Sequence, residues 1–272
     1  MPAVDLVVTD LDGTLWHTDD HVPDLVLAAW AELERRGVPI LVATGRRLAS
    51  TRGPLARVGL TPPAVVLNGA LGVHLRSGDR FHRAPFPNDD ALAVHDAFAT
   101  VGLSPVVYVD HPRFDVYLSD DPDTHPGHVE SLGETAGRAG PDLRATVGAQ
   151  AVLGFSMIGV PFSAAEAAFA AVSPLAEVHL DRSIDWPGRA SLTVAPRDQS
   201  KWDGVLAYCA QHGLDPTRVL ALGDGPNDVE LLTGAAVRLV PEVAHPDALD
   251  LATEVIPAAA EGGWAAVLDH VA

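Results

Sequence analysis

The sequence predicts an α/β fold: a parallel-sheet core interrupted by an inserted α+β module. Three observations predict it. Over the first 68 residues, short apolar runs alternate with stretches of helical period. After Asn68 the pattern changes to a hairpin and then a mix of helices and short strands. The last quarter then returns to strand–helix alternation. Apolar runs without polar alternation suit strands covered on both faces, and such strands separated by helices imply parallel pairing with right-handed crossovers.

In the first third, DLVVTD (5–10) reads as a buried strand. PDLVLAAWAELERRG (23–37) has helix periodicity, with Pro23 near its start and Gly37 as its stop. PILVAT (39–44) is a second strand. RRLASTRGPLARVG (46–59) is a helix weakened by Gly53-Pro54, and AVVLN (64–68) is a third strand. LGVHLRSGDRFHRA then reads as a hairpin turning at Ser77-Gly78-Asp79.

The inserted module spans 83–195 and leaves 1–82 and 196–272 as the core. Within it the pattern gives a helix at about 88–99, strands in PVVYVD and FDVYLS, and a loop rich in Asp, Pro and His at 119–128. A helix is expected at about 127–137, and AVLGFSMIGV (151–160) is a strand. Ser163 and Glu166 have capping-box spacing, so a helix is expected to start there. AEVHLDRS and ASLTVAP close the module as strands. In the last quarter, SKWDGVLAYCAQHG is a helix, TRVLALGD (217–224) a strand, NDVELLTGA a helix and AVRLV a strand. PDALDLA is a short helix, TEVIP a strand and GGWAAVLDHV a closing helix. There is no internal repeat.

Bulk properties narrow the function. The 272 residues are 47% hydrophobic, enough for a sizeable core. The formal net charge of −18 repels nucleic acid and anionic membranes. It still allows a small anionic substrate at a locally cationic site. The lone Cys209 rules out an intramolecular disulfide and a Cys-based zinc site, and its helical neighbours suit a core thiol. MPAVDLVV lacks the basic and long apolar regions of a secretory signal, and Pro161 and Glu166 interrupt the longest apolar stretch. A soluble, cytoplasmic protein with no obligate protein partner is expected.

Three of the expected parallel strands end in polar signals: Asp10-Leu11-Asp12, Thr44-Gly45-Arg46 and Gly223-Asp224. In an open α/β sheet the ligand crevice lies outside the carboxyl ends of the strands. If these strands are neighbours, the groups meet there, and Lys201 reaches the same crevice from a helix start. Several carboxylates in one crevice repel one another unless a cation sits among them, and oxygen donors suit Mg²⁺. A metal with a lysine makes a pocket for a phosphate dianion. One carboxylate can then attack phosphorus. The other, two residues on and on the same side of an extended chain, can shuttle the proton.

Each piece alone has a plainer reading. DxDG is a common turn, TGR a loop, and a single lysine most often a solvated helix residue. GDGPND as a calcium loop fails, because its twelfth position is Ala235 rather than Glu. Taken together and in order at strand ends, the pieces favour catalysis.

With DLDGTLW, ATGR, Lys201 in SKWDGV and GDGPNDVELL, the sequence resembles the haloacid dehalogenase superfamily of phosphohydrolases, specifically its Cof-like sugar-phosphatase branch. LNGA (67–70) and EGGWAAVLD (261–269) resemble the same branch. The resemblance implies a Rossmann-like core carrying a large α/β cap that sets substrate specificity. It implies Asp10 as nucleophile and Asp12 as general acid/base. Leu11, Thr44, Gly45, Lys201 and Asn227 would bind phosphate, with Lys201 also orienting Asp10. Mg²⁺ would be held by the Asp10 carboxylate, the Asp12 backbone carbonyl and Asp224, with Asp228 supporting Lys201 or the metal.

An aspartate at 12, as the resemblance implies, favours phosphomonoester hydrolysis or phosphate transfer over ATPase or phosphonate chemistry, and the expected substrate is a small phosphorylated metabolite such as a sugar or polyol phosphate. A phosphomutase and a non-catalytic binding member of the fold are the alternatives. Trp16 departs from the branch's smaller residue and is expected to pack the flap rather than cover substrate. AAVRLVPEVAHPDAL lacks the branch's Met-Gly-Asn-Ala turn. Arg182, Ser183 and Arg189 are candidates to face the crevice, each more simply a surface residue. His125 and His128 hint at a metal site, against the plainer reading of an acidic loop.

Overall fold

In the computed structural model, which describes residues 4–17, 20–111, 113–119, 128–129, 132, 136–138, 142–183 and 186–271, the apolar run after Asp5 is strand β1 (Leu6–Thr9), buried along its whole length. It pairs in parallel with β2 (Ile40–Ala43) on one side and β12 (Val219–Leu222) on the other. β3 (Pro63–Val66) continues the parallel sheet beyond β2. The antiparallel hairpin β4 (Leu71–His74) and β5 (Arg80–Arg83) ends that flank. On the other flank β13 (Val237–Pro241) and β14 (Glu254–Ile256) extend it in parallel. This eight-stranded sheet belongs to one compact unit, Met1–Arg83 with Ser200–Ala272; Ala84–Gln199 form a second.

Helix α1 (Asp24–Arg35) turns Val26, Ala29, Trp30 and Leu33 inward, and Trp30 stacks on Trp264 with centroids 5.6 Å apart. Helix α2 (Leu48–Arg57) carries Pro54 inside it. Helix α6 (Lys201–His212) covers the sheet with Val205, Tyr208 and Cys209, packed in one cluster with Leu6, Val8, Leu41 and Val65. Each such fully buried aliphatic side chain contributes about 1.5–3 kcal/mol. Gly204 lets α6 ride close to the sheet: a Cβ there would lie 2.4 Å from a Val65 methyl. Two short helices, α7 (Val229–Gly234) and α8 (Pro246–Leu249), complete the unit with a C-terminal run of 3-10 turns. The chain runs from β1 to β2 and β3 in one direction, and from β12 to β13 and β14 in the other. The crevice at such a switch point lies at the carboxyl ends of the central strands.

The second unit is a six-stranded sheet in the order β10-β11-β9-β6-β7-β8. Its strands are β6 (Val106–Val109), β7 (Val116–Leu118), β8 (Gly137–Arg138), β9 (Val152–Val160), β10 (Glu177–Arg182) and β11 (Ala190–Ala195). Pairing is antiparallel except between β7 and β8. Helices α3 (Asn88–Thr100), α4 (Leu143–Ala149) and α5 (Phe162–Val172) supply Val94, Phe98, Val147 and Ala168 to its core, against Phe155 and Leu192.

Several elements differ from the sequence expectation. The capping box of Ser163 and Glu166 does not form. The helix begins two residues earlier, capped by Pro161, whose carbonyl accepts from the N–H groups of Ala164 and Ala165, so Ser163 lies already inside it. Helix α4 was not expected; Asp142 caps it by accepting from the Ala145 N–H. The expected helix at 127–137 falls largely outside the described residues. Of those, His128, Val129 and Leu132 are helical, while Gly137–Arg138 form a strand. The closing helix is a pair of 3-10 segments parted by Gly262 at φ 76°. β3 stops at Val66 because Leu67 and Asn68 take left-handed conformations.

Candidate active site

The site residues enter from the polypeptide just beyond β1, β2, β3 and β12 and from the first turn of α6, all within the first unit. Asp10 follows β1 directly, and its N–H donates to the Leu222 carbonyl, which anchors it to the neighbouring strand. The Thr9 hydroxyl donates to the Asp10 carbonyl and accepts from the Trp264 indole N–H at 2.9 Å. Lys201 opens α6. Asp203, three residues on, accepts from both the N–H and the hydroxyl of Ser200, fixing that helix start.

The Lys201 side chain is fully buried and donates to Asp10 Oδ1 at 2.8 Å and to Asp228 Oδ1 at 2.7 Å. Asp228 is fully buried too; its Oδ2 accepts from the backbone N–H groups of Asp224 and Gly225. Asp224 accepts from the Thr14 hydroxyl at 3.0 Å. Gly13, at φ 76°, brings its backbone so close that a Cβ would lie 2.2 Å from Asp224 Oδ2. That close approach explains the glycine after Asp12.

The electrostatics follow from the crowding. Burial raises the Asp10 carboxyl well above its ordinary value; Lys201 pulls it back, and Asp228, Asp224 and Asp12 push it up. Asp224 is pushed up to about 6 by burial and by Asp228, against the Thr14 hydrogen bond and Lys201. Burial works to lower Lys201, but Asp10 and Asp228 outweigh it and hold the ammonium above its usual range. Asp10, Asp224 and Asp228 each offer an oxygen within 4.8 Å of the others. An all-oxygen, anionic donor set of this kind fits a hard divalent cation such as Mg²⁺.

The phosphate-binding candidates border the same carboxylates. Thr44 is buried at the end of β2, and its hydroxyl accepts from the Arg46 N–H at 3.2 Å. Asn227 donates to Asn68 Oδ1 at 3.0 Å, and a Cβ at Gly45 would lie 2.9 Å from that same oxygen. Gly45, Asn68 and Asn227 therefore meet at one place. Leu11 is buried and its carbonyl accepts from the N–H groups of Thr14, Leu15 and Trp16, closing a tight flap.

Asp12 differs from the other carboxylates in its partners. Its oxygens accept from Arg46 Nε at 2.6 Å and Nη2 at 2.5 Å, and from the Trp16 indole at 3.1 Å. Trp16 is fully buried, so it packs the flap and also holds Asp12. Burial opposes the charge on Arg46, but its bonds to Asp12 and Asp20 outweigh that and raise it.

Three site residues carried no assignment from the sequence, Arg46, Asn68 and Thr14, and Trp16, expected only to pack the flap, also holds Asp12 through its indole. Arg46 and Asn68 lay within quoted motifs, but their partners depend on the fold of loops far apart in sequence. Of the other candidates, Arg182 and Arg189 are exposed in the second unit, and Ser183 is buried beside Arg189, to whose carbonyl its N–H donates. His125 lies outside the described residues. His128 is fully buried and accepts from the Ile158 N–H at 3.1 Å, as a core histidine does. Among the described residues no helix is long and apolar enough to cross a membrane.

Comparison with known proteins covers nearly the whole chain. A family model described as haloacid dehalogenase-like hydrolase matches residues 7–268. A phosphoglycolate phosphatase of Methanopyrus kandleri is 24% identical over 263 residues, covering 93% of this chain and 90% of its own length. Among solved structures, a protein from Thermotoga maritima covers 99% of this chain and 98% of its own, with TM-score 0.79 and 18% identity. A subclass IIB sugar phosphatase of the same superfamily covers 98% of each chain, with TM-score 0.74 and 17% identity. At such identities the structural likeness establishes the fold.

Proposed function

The chain belongs to the haloacid dehalogenase-like hydrolase family, as a phosphatase, and from that premise we propose that it hydrolyses a small phosphomonoester, a sugar or polyol phosphate, through an aspartyl-phosphate on Asp10 with Mg²⁺ as cofactor. The observation that carries the proposal is the fully buried Lys201 bridging Asp10 and Asp228, with the Asp224 carboxylate close enough to share a cation. Buried like charges at this density are costly unless something ligates them.

Lys201 fixes the rotation of the Asp10 carboxylate. Thr44, the backbone of Leu11 and Gly45, and Asn227 hold the phosphate oxygens in line with it. An Asp10 oxygen attacks phosphorus as the bond to the leaving oxygen breaks, and Asp12 gives that oxygen its proton. Asp12 then takes a proton from water, which attacks the phosphoryl group and returns Asp10 as a free carboxylate with inorganic phosphate. Proton shuttling of this kind is worth roughly 10²–10⁴-fold. The Asp10 and Asp224 carboxylates and the Asp12 carbonyl would hold Mg²⁺, with Asp228 behind them. Bound there, the ion would offset the charge of the phosphate and the carboxylates.

The net charge of −18 supports a small-molecule substrate over nucleic acid or an anionic membrane, and no obligate protein partner is proposed. The second unit, at about residues 83–195, is proposed as the cap that selects the substrate, and a cytoplasmic location completes the reading. The test is hydrolysis of an aryl phosphate and of a panel of sugar and polyol phosphates, with excess EDTA and then with Mg²⁺ restored. Phosphate release that stops with EDTA and returns with Mg²⁺ is expected. Full activity in EDTA would overturn the metal assignment, and isomer formation without phosphate release would make the protein a mutase.

A further inference from the structure

Arg46 stands two residues beyond Thr44, and its guanidinium gathers three separate stretches of chain. Pro54 brings no N–H to α2, so the Ser50 carbonyl four residues earlier lacks its helical donor. Arg46 Nη1 donates to that carbonyl at 3.3 Å. The other edge of the fork grips Asp12 through Nε and Nη2, and Nη2 also reaches Asp20 Oδ1 at 2.7 Å. The guanidinium carbon lies 5.1 Å from the centroid of the Trp16 ring, and the indole N–H points to the same Asp12 oxygen that Nη2 holds. Four of the five guanidinium N–H directions are thus taken by protein acceptors, which leaves little capacity to bind a phosphate. The Asp12 carboxylate, receiving three N–H donors, has its rotation fixed. A planar fork supplies that and an ammonium does not.

We propose that Arg46 is a positioning residue for Asp12, anchored by Asp20 and by the open carbonyl of Ser50, and that it acts on the reaction only through the Asp12 carboxylate. The role rests on the acid/base assignment of Asp12. It separates Arg46 from the neighbouring Thr44 and Lys201, whose own atoms are proposed to meet the phosphate or its attacking oxygen. Its signature is a loss that falls on proton transfer. Alkoxide leaving groups, which need the proton, must suffer more than an activated phenoxide, while substrate affinity stays in place.

The test compares Arg46→Lys, Asp12→Asn and the double variant on a sugar phosphate and on nitrophenyl phosphate, with melting curves to confirm folding. Arg46→Lys is expected to lower kcat on the sugar phosphate roughly ten- to hundredfold, the scale for partners that orient a site group. KM should stay within about twofold and the loss on nitrophenyl phosphate should be smaller. In the Asp12→Asn background the same change should cost nothing further, since residues that act as a unit are not additive. Raised KM with unchanged kcat, equal losses on both substrates, or losses that multiply in the double variant would each overturn the proposal. If Asp12→Asn itself treats the two substrates alike, the acid/base assignment fails first and takes this role with it. Should Arg46→Lys not fold, Asp20→Asn carries the test: a severalfold kcat loss confined to the sugar phosphate supports the anchor, and no change on either substrate overturns it.

Discussion

The two units treat buried polarity in opposite ways. In the first, Asp10, Lys201 and Asp228 are buried ionisable groups gathered at the strand ends, with Thr14, Thr44 and Asn68 buried around them. In the second, the buried polar residues among those described are Ser119, His128, Ser156 and Ser183; its aspartates and arginines with described side chains lie nearer solvent. In the first unit, burial and neighbouring carboxylates disfavour the charges on Asp10 and Asp224. The second is an ordinary sheet-and-helix core whose ion pairs, such as Asp96 with Arg144, sit in water. Density of buried charge, rather than number of charges, sets the candidate site apart.

Removing the proposed nucleophile sharpens that contrast most. Asp10→Asn is expected to abolish phosphate release, on the order of 10⁶-fold, the scale seen when a nucleophile is deleted. Because burial and the neighbouring carboxylates outweigh Lys201 and disfavour the Asp10 charge, the metal-free variant should melt at the same temperature or higher. Steady-state assays beside melting curves check both halves, and a destabilised Asp10→Asn would show that the carboxylate cluster is not under strain.

Removing the cation should act in the other sense. Lys201→Met leaves Asp10 and Asp228 buried without their shared partner, and breaking a buried pair from one side costs about 3–5 kcal/mol. Urea denaturation in EDTA measures it; a cost near zero would mean the carboxylates take up protons or water freely.

The smallest effect belongs to the second unit. The Arg144 guanidinium, with His95 beside it, holds the Asp96 carboxyl down to about 2. A carboxyl lowered on folding stabilises above its unfolded value of about 4, and the contribution is lost as pH falls toward 2. Both side chains are about half exposed, so solvent screens most of that contribution. Asp96→Asn should lower the melting temperature slightly at pH 7, and the difference should shrink as the pH drops toward 2. Phosphate release should not change.

The same contrast governs what could be read from the sequence. Asp10, Thr44 and Asp224 stood out because a polar residue at the end of an apolar, branched run has no local reason to be there, and the strand order β12-β1-β2 does bring those ends together. Lys201 was visible only through its place at a helix start. The grip of Arg46 on Asp12 was not legible, since it needs a turn at 12–16 and a helix start at 48 to face one another. Gly53-Pro54 weakens the helix expected there, and the helix runs through it to Arg57, with the carbonyl that Pro54 leaves open accepting from Arg46 Nη1. In the second unit Ser163 and Glu166 had the right spacing for a cap, but Pro161 set the helix start two residues earlier. Arg182 and Arg189 gave no signal beyond their charge, and their exposure is that of surface residues.

The place of β1 also bears on how the protein is made. β1 needs β12 along one edge, and β12 lies roughly 210 residues downstream, beyond the whole second unit. At roughly 5–20 residues per second, a ribosome exposes that edge for about 10–40 s before its partner emerges. A newly made apolar strand with an open edge is a template for wrong pairing. For most of that interval Asp10 and Asp12 are present without Lys201, and for all of it without Asp224. Charged residues flanking an apolar strand oppose such pairing, and β1 ends on two carboxylates, Asp10 and Asp12.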